Sequence, residues 1–163
     1  MRTTPCILLI DDPAVDLEHL RSILSADYDL LTADSGQRAL ELAREQPDLI
    51  LLNLTLPAMD GLTVCAHLKT EPASADIPVI FITDDSGAKA AAACFAAGGV
   101  DLISKPINPV MLRAQVATQL TLRHQRDQIH LYEERIRSTE REAAQAIAEL
   151  DRSHRVTIQV VLA

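Results

Sequence analysis

Five short apolar runs, each followed by a segment of helical periodicity, constrain this chain more than any other feature. The runs are Ile7–Ile10, Tyr28–Ala33, Leu49–Leu52, Val79–Ile82 and Val100–Ile103. Pro13 suits the first turn of a helix, where its missing N–H costs nothing, and Val15, Leu17, Leu20, Ile23 and Leu24 make Ala14–Ser25 amphipathic. Ser35 is a plausible N-cap for a second helix through Ala39, Leu40, Leu42 and Ala43, which stops before Pro47. Leu62, Val64, Cys65 and Leu68 mark a third helix ending near Pro72, and Ala88–Ala97 a fourth, closed by Gly98 and Gly99. From Pro109 the helical pattern runs without proline or glycine to at least Leu150. Strands alternating with helices of this length require crossovers and a parallel sheet, and right-handed crossovers place helices on both faces. The expectation is an α/β fold: a doubly wound five-stranded parallel sheet with a long C-terminal helix.

Composition narrows the class. Of the 163 residues 48% are hydrophobic, but the aromatic ones are only Tyr28, Phe81, Phe95 and Tyr132, so the core has to be aliphatic. The net charge of −8 argues against non-specific nucleic-acid binding, which releases counterions from a basic surface; it leaves a metal cation or a basic partner open. Cys6, Cys65 and Cys94 are far apart and odd in number, which fits neither a disulfide framework nor CxxC metal spacing and points to reduced thiols. The N-terminal apolar run is too short for a signal peptide or a membrane span, so a cytoplasmic protein is expected, with no membrane partner.

In a parallel sheet every strand C-terminus lies on one edge, where open α/β sheets place their ligands. That edge would gather Asp11 and Asp12 after the first strand, Asn53 after the third, Thr83 after the fourth and Lys105 after the fifth. Each has an ordinary explanation alone: Asp11 and Asp12 as helix N-caps, Thr83 as a β-branched strand residue, Lys105 as a solvated loop lysine. Together they are more specific. Carboxylates suit Mg²⁺, a hard cation that takes oxygen ligands; a hydroxyl and an ammonium suit phosphoryl oxygens.

The stretches ILLIDD, DLILLNLTLPAMDG, PVIFITDD and DLISKPINP, in that order and spacing, resemble the receiver domain of bacterial two-component response regulators, over residues from about Cys6 to about Leu122. The resemblance implies the flavodoxin-like receiver fold over residues 5–122 and a sensor histidine kinase as phosphoryl donor. It implies that Asp11, Asp12 and the backbone carbonyl of Thr55 face Mg²⁺, that Thr83 is the switch hydroxyl, and that Lys105 grips the phosphoryl group. Pro106 matches a proline joined through a cis bond. Three positions depart from the pattern. Asn53 stands where the family has its phosphoacceptor aspartate, and an uncharged amide is a very poor acceptor. Its lost charge should also weaken the cation site. Leu102 stands where a switching aromatic is usual, and Pro13 where an acid is frequent. Asn53 fits either a natural pseudo-receiver or an Asp→Asn change in an otherwise intact receiver; the retained Asp11, Asp12, Thr83 and Lys105 favour a recent or engineered inactivation. If phosphorylated in an aspartate form, the family pattern places the response on Ala88–Ala97 and around Leu102.

Beyond Leu122 the polar content rises. Leu122, Ile129, Ile136, Ala143 and Leu150 recur every seven residues, while the intermediate positions Gln125, Tyr132, Thr139 and Ala146 are mixed. Over residues 123–155 this reads as a parallel two-stranded coiled coil for dimerisation and signalling, or as a helix packing back on its own domain or on a missing one. Residues 156–163, VTIQVVLA, read as the start of a further segment, missing or disordered. Receivers with such helices resemble the front ends of diguanylate cyclases, HD-GYP phosphodiesterases and kinases. The reading is therefore a regulatory module rather than an enzyme, homodimeric through the tail and passing state to an output domain. A phosphorylation-independent docking scaffold is the alternative. A Mg-dependent phosphatase-like enzyme is a weaker rival, because that chemistry wants an aspartate two residues after its nucleophile and Pro13 is two beyond Asp11. A nucleotide-binding domain is weaker still, since DDPAV has no glycine for a phosphate-cradling turn.

Overall fold

The structure, a computed structural model, describes residues 3–12 and 14–162. The expected helix-starting role of Pro13 lies outside the described residues. The elements alternate strictly: β1 (Cys6–Ile10), α1 (Ala14–Leu24), β2 (Asp29–Ala33), α2 (Gly36–Ala43), β3 (Leu49–Asn53), α3 (Gly61–Thr70), β4 (Val79–Thr83), α4 (Ala88–Ala96), β5 (Asp101–Ser104) and α5 (Pro109–Val161). All strand pairs are parallel, in the order β2-β1-β3-β4-β5. This order places β1 between β2 and β3, so the chain reverses its winding direction after β2, and the crevice of this switch point opens at the C-terminal ends of β1 and β3.

The continuous apolar runs are explained by burial on both sides. Every residue of β1, β3 and β4 is buried, and the period of two divides each strand between two cores. Leu8, Ile10, Ile50, Leu52 and Phe81 face a cluster completed by Ala39, Leu42, Val64, Leu68 and Cys94, from α2, α3 and α4. Ile7, Leu9, Leu51, Ile80 and Ile82 face the opposite cluster, completed by Leu20, Ile23 and Leu24 of α1 and Leu112 and Val116 of α5. Phe81 is the one aromatic ring fully buried in these clusters, and the rest is aliphatic as the composition required.

Local chemistry sets the boundaries. Ser35 caps α2 by accepting the Arg38 N–H. Asp60 caps α3 by accepting the Thr63 N–H at 2.7 Å, which starts that helix at Gly61, one residue earlier than its apolar periodicity suggests. That bond holds the Asp60 carboxyl below its ordinary value. Asp60→Ala should cost about 1 kcal/mol, the usual worth of an N-cap. The part due to ionised Asp60 is present above the ordinary carboxylate pKa and fades as pH falls through the lowered one. Paired thermal melts at neutral pH and near pH 3 check both: the two proteins should differ at neutral pH and converge in acid.

The Lys105–Pro106 bond is cis, as the family resemblance implied. The last helix does not break near residue 156 but runs to Val161. Arg113 hydrogen-bonds the Ile23 carbonyl from both Nε and Nη2, at 3.3 and 3.2 Å, and so ties α5 to the end of α1. Arg123 reaches the carbonyls of Pro47 and Asp48 at 2.9 and 2.8 Å, at the start of β3. The chain divides into two units after Arg123. The second is helix through Val161, and each of its described residues is exposed. Among the described residues no helix is long and apolar enough to cross a membrane.

Candidate functional site

The strand register brings the polar ends together. Asp11 follows β1, Asn53 ends β3, Thr83 ends β4 and Lys105 follows β5. Backbone bonds fix their relative heights: Asp11 N–H donates to Ala33 O, Leu54 N–H to Ile82 O, and Lys105 N–H to Thr83 O. The loop after β3 is shaped by a close approach. A Cβ at Gly61 would lie 2.5 Å from the Asn53 carbonyl oxygen and 2.9 Å from Leu54 Cα, so only glycine lets α3 start against the end of β3. Ala58 turns that loop at a φ of 65°.

At the centre is a buried amide–carboxylate pair. Asp11 is 0% exposed and Asn53 5%, and the Asn53 amide Nδ2 donates to Asp11 Oδ1. The same oxygen accepts the Asp12 N–H at 2.8 Å. Asp11 Oδ2 is buried without a hydrogen-bond partner; Lys105 Nζ lies 3.7 Å from it. Burial pushes the Asp11 carboxyl above its ordinary value, against the opposing pull of the Asn53 amide, the Lys105 ammonium and the Asp12 N–H. Burial acts to lower the Lys105 pKa, but its hydrogen bond to Asp16 and the charges of Asp11, Asp16 and Asp84 prevail and hold it above the usual lysine value. The ammonium therefore stays charged.

Lys105 makes its short contact elsewhere, at 2.8 Å to Asp16 Oδ2 in the first turn of α1. Sequence reasoning missed Asp16, which reads there as one more polar residue on the outer face of an amphipathic helix. Its place four residues after Asp12, just past the strand end, is the only signal that it returns to this edge. Thr83 is 3% exposed, and its hydroxyl accepts the Asp85 N–H at 3.0 Å, which shapes the loop after β4. Thr55 is exposed, with its N–H directed at Asn53 Oδ1 over 3.4 Å. Asp12 is exposed at the same edge. Leu102 is set apart: it sits within β5 and packs on the apolar cluster that holds Phe81 and Cys94.

These donors suit a hard divalent cation rather than a soft one. The unpartnered Asp11 Oδ2, the exposed Asp12 carboxylate and the Thr55 carbonyl are all oxygen. The set holds two carboxylates, and among the described residues no group of three or more acid, histidine or cysteine side chains is placed to hold a metal. Asn53 adds a neutral amide to the set, not a third charge.

A five-stranded parallel sheet in this order, covered on both faces and carrying acidic, hydroxyl and ammonium side chains at one edge, defines the flavodoxin-like receiver class. Residues 7–117 match the response regulator receiver domain family, and this chain belongs to it. It is 41% identical to Response regulator PleD of Caulobacter vibrioides over 112 residues, 68% of this chain and 25% of PleD. It is 34% identical over 122 residues to a Vibrio cholerae protein described as "Probable cyclic di-GMP phosphodiesterase", covering 74% of this chain and 28% of that protein. The chain thus spans about a quarter of the length of these relatives. Among solved structures, the signal receiver domain of an HD domain-containing protein from Pseudomonas fluorescens Pf-5 superposes with a TM-score of 0.69 at 30% identity, covering 75% of this chain and 98% of that one.

Proposed function

We propose that this chain is the regulatory input of a two-component signalling protein whose phosphoacceptor position, Asn53, is silent. In this reading residues 5–122 are the receiver, 123–155 a dimeric signalling helix, and 156–163 the lead into an output domain. Asp11, Asp12 and the Thr55 carbonyl hold Mg²⁺ weakly, Thr83 and Lys105 are the phosphate-gripping pair, and Leu102 leaves the fifth strand without an aromatic switch. The partner is a sensor histidine kinase. The Vibrio cholerae relative supports an output concerned with cyclic di-GMP, which in this reading is a diguanylate cyclase or an HD-GYP phosphodiesterase.

One observation carries the reading: Asn53 Nδ2 donates to Asp11 Oδ1 at the strand-end edge that also gathers Thr83 and Lys105. The amide has no charge with which to attack phosphorus, and its N–H is already spent on the residue that would otherwise face the cation. A bound Mg²⁺ would supply charge neutralisation for phosphoryl oxygens; Thr83 and Lys105 would orient them. The test is to incubate the chain with acetyl phosphate and MgCl₂ and weigh it intact. No added phosphoryl mass is expected, and a singly phosphorylated product would sink the silent-site reading.

The same contacts favour a second reading. The Asn53–Asp11 bond and the Asp16–Lys105 pair engage the amide and the ammonium within the chain, as a natural docking scaffold independent of phosphorylation would allow. Restoring aspartate at position 53 separates the two readings: a scaffold stays unresponsive, whereas a silenced receiver regains phosphorylation.

A further inference from the structure

The part of α5 beyond Arg123 leaves large apolar side chains in water. Ile129 is 58% exposed, Tyr132 61%, Ile136 58%, Ile147 67% and Leu150 61%. At ~100° per residue these five and Ala143 fall in one stripe about 60° wide. A lone helix with this stripe uncovered gains nothing from tertiary packing and is marginal in water.

We propose that a second copy of this chain covers the stripe in a parallel, in-register pair whose seam takes one eleven-residue step, between Ile136 and Ile147. The inference rests on the self-association in the functional reading above and adds its direction, register and seam. The step follows from which residues share the stripe. From Ile129 the seam passes to Tyr132 and Ile136 at heptad spacing. A strict heptad would continue through Thr139, Ala143 and Ala146. Ile147 lies closer to the middle of the stripe than Ala146, and the seam resumes from it to Leu150 and His154. Eleven residues over three turns is about 3.67 per turn, so the left-handed supercoil relaxes there and the helices run nearly straight. Ala143 sits in that step, where its small side chain lets the backbones approach.

Charge selects the direction. Arg135 and Glu140 flank the seam. In a parallel in-register pair Arg135 of each chain faces Glu140 of the other, so the attraction occurs twice, and Gln128 faces Glu133. An antiparallel pair centred on Ile136 would instead oppose Arg135 to Arg135 and Glu133 to Glu140.

The test uses the full chain. Cys6, Cys65 and Cys94 are all buried, so an introduced surface thiol reports alone. Light scattering should give the mass of two chains. Under diamide, A143C and H154C should each form a disulfide-linked dimer, whereas R141C, on the opposite face, should not. An antiparallel pair can set at most one of the two seam positions against itself. R135E should weaken association by roughly tenfold, with E140R in the same chain restoring it. I147D should dissociate the pair more than A146D. A two-chain mass with a disulfide at one or neither seam position overturns the parallel register and leaves self-association standing. The reverse ranking of I147D and A146D overturns the eleven-residue step. A single-chain mass, as from a helix that folds back or waits for a different protein, overturns self-association as well, and a mass of three or four chains overturns the pair.

Discussion

Asn53→Asp is expected to destabilise the metal-free protein, to make it respond to Mg²⁺, and to let it accept a phosphoryl group. The first effect follows from the buried pair. In the present chain Asn53 Nδ2 donates to Asp11 Oδ1, and both side chains are shielded from water. An aspartate at 53 replaces that donor with an acceptor, so two carboxylates meet where one hydrogen bond was. The lost charge-assisted bond and the new repulsion amount to about 2–3 kcal/mol, or on the order of 10 °C in melting temperature for a domain of this size. A cation bound to the third carboxylate returns stability according to its concentration and affinity. Melts in EDTA and in MgCl₂ should therefore diverge for Asn53→Asp and nearly coincide for the present chain. The added carboxylate can also act as nucleophile: its oxygen forms the new P–O bond to acetyl phosphate, and acetate leaves with the electron pair of the broken one. Equal stability of both forms in EDTA would refute the Asn53–Asp11 clamp. A stable Asn53→Asp protein that binds Mg²⁺ but takes no phosphoryl group would refute the silenced-receiver reading and favour the scaffold.

Lys105→Met should show how much the buried Asp11 carboxylate costs. Lys105 Nζ is the cation 3.7 Å from Asp11 Oδ2, an atom without a hydrogen bond. Methionine keeps the length of the side chain and removes the charge, leaving Asp11 to ionise uncompensated. The cost at neutral pH should be about 3 kcal/mol, toward the lower end for a broken buried pair because Lys105 is itself partly exposed. Its pH dependence has a definite sign. The Asp11 carboxyl is already raised above 3.8 by burial, and removing the ammonium raises it further. Between the ordinary value and the raised one the folded state holds the proton that the unfolded state has lost, so stability falls as pH rises through that window. Lys105→Met should regain stability on acidification from neutral pH toward the ordinary carboxylate range, over a wider span than the present chain. Urea titrations at several pH values measure this. A variant with unchanged stability and no such slope would show that Lys105 does not compensate Asp11.

Much of this architecture was legible in the residue order. The apolar runs at Ile7–Ile10, Leu49–Leu52 and Val79–Ile82 are continuous because their strands are buried on both faces, and continuity of that kind survives in one dimension. The Ser35 cap was legible because it depends on immediate neighbours, and the cis bond before Pro106 was implied by the resemblance to the receiver family. The less legible boundaries lay where apolar periodicity and capping disagree: α3 begins at Gly61 because Asp60 caps it, and β5 begins at Asp101 rather than Val100. At the tail, residues 156–161 are rich in β-branched side chains, a weak helix preference that the structure overrides by continuing α5 to Val161. In the strand-end site, Asp11, Asn53, Thr83 and Lys105 could be nominated from their positions after apolar runs, but Asp16 could not, since nothing near it in sequence explains its partner.

By itself the sequence determined the alternation of strands and helices, the parallel sheet that alternation compels, the family, and the amide at position 53. These are properties of short windows, where period and residue type act directly. Only the tertiary structure decided that Asn53 is bonded to Asp11, 42 residues away, and that Lys105 is bonded to Asp16, 89 residues away. Contacts of that separation depend on where the crossovers return each strand end, and no local pattern encodes that.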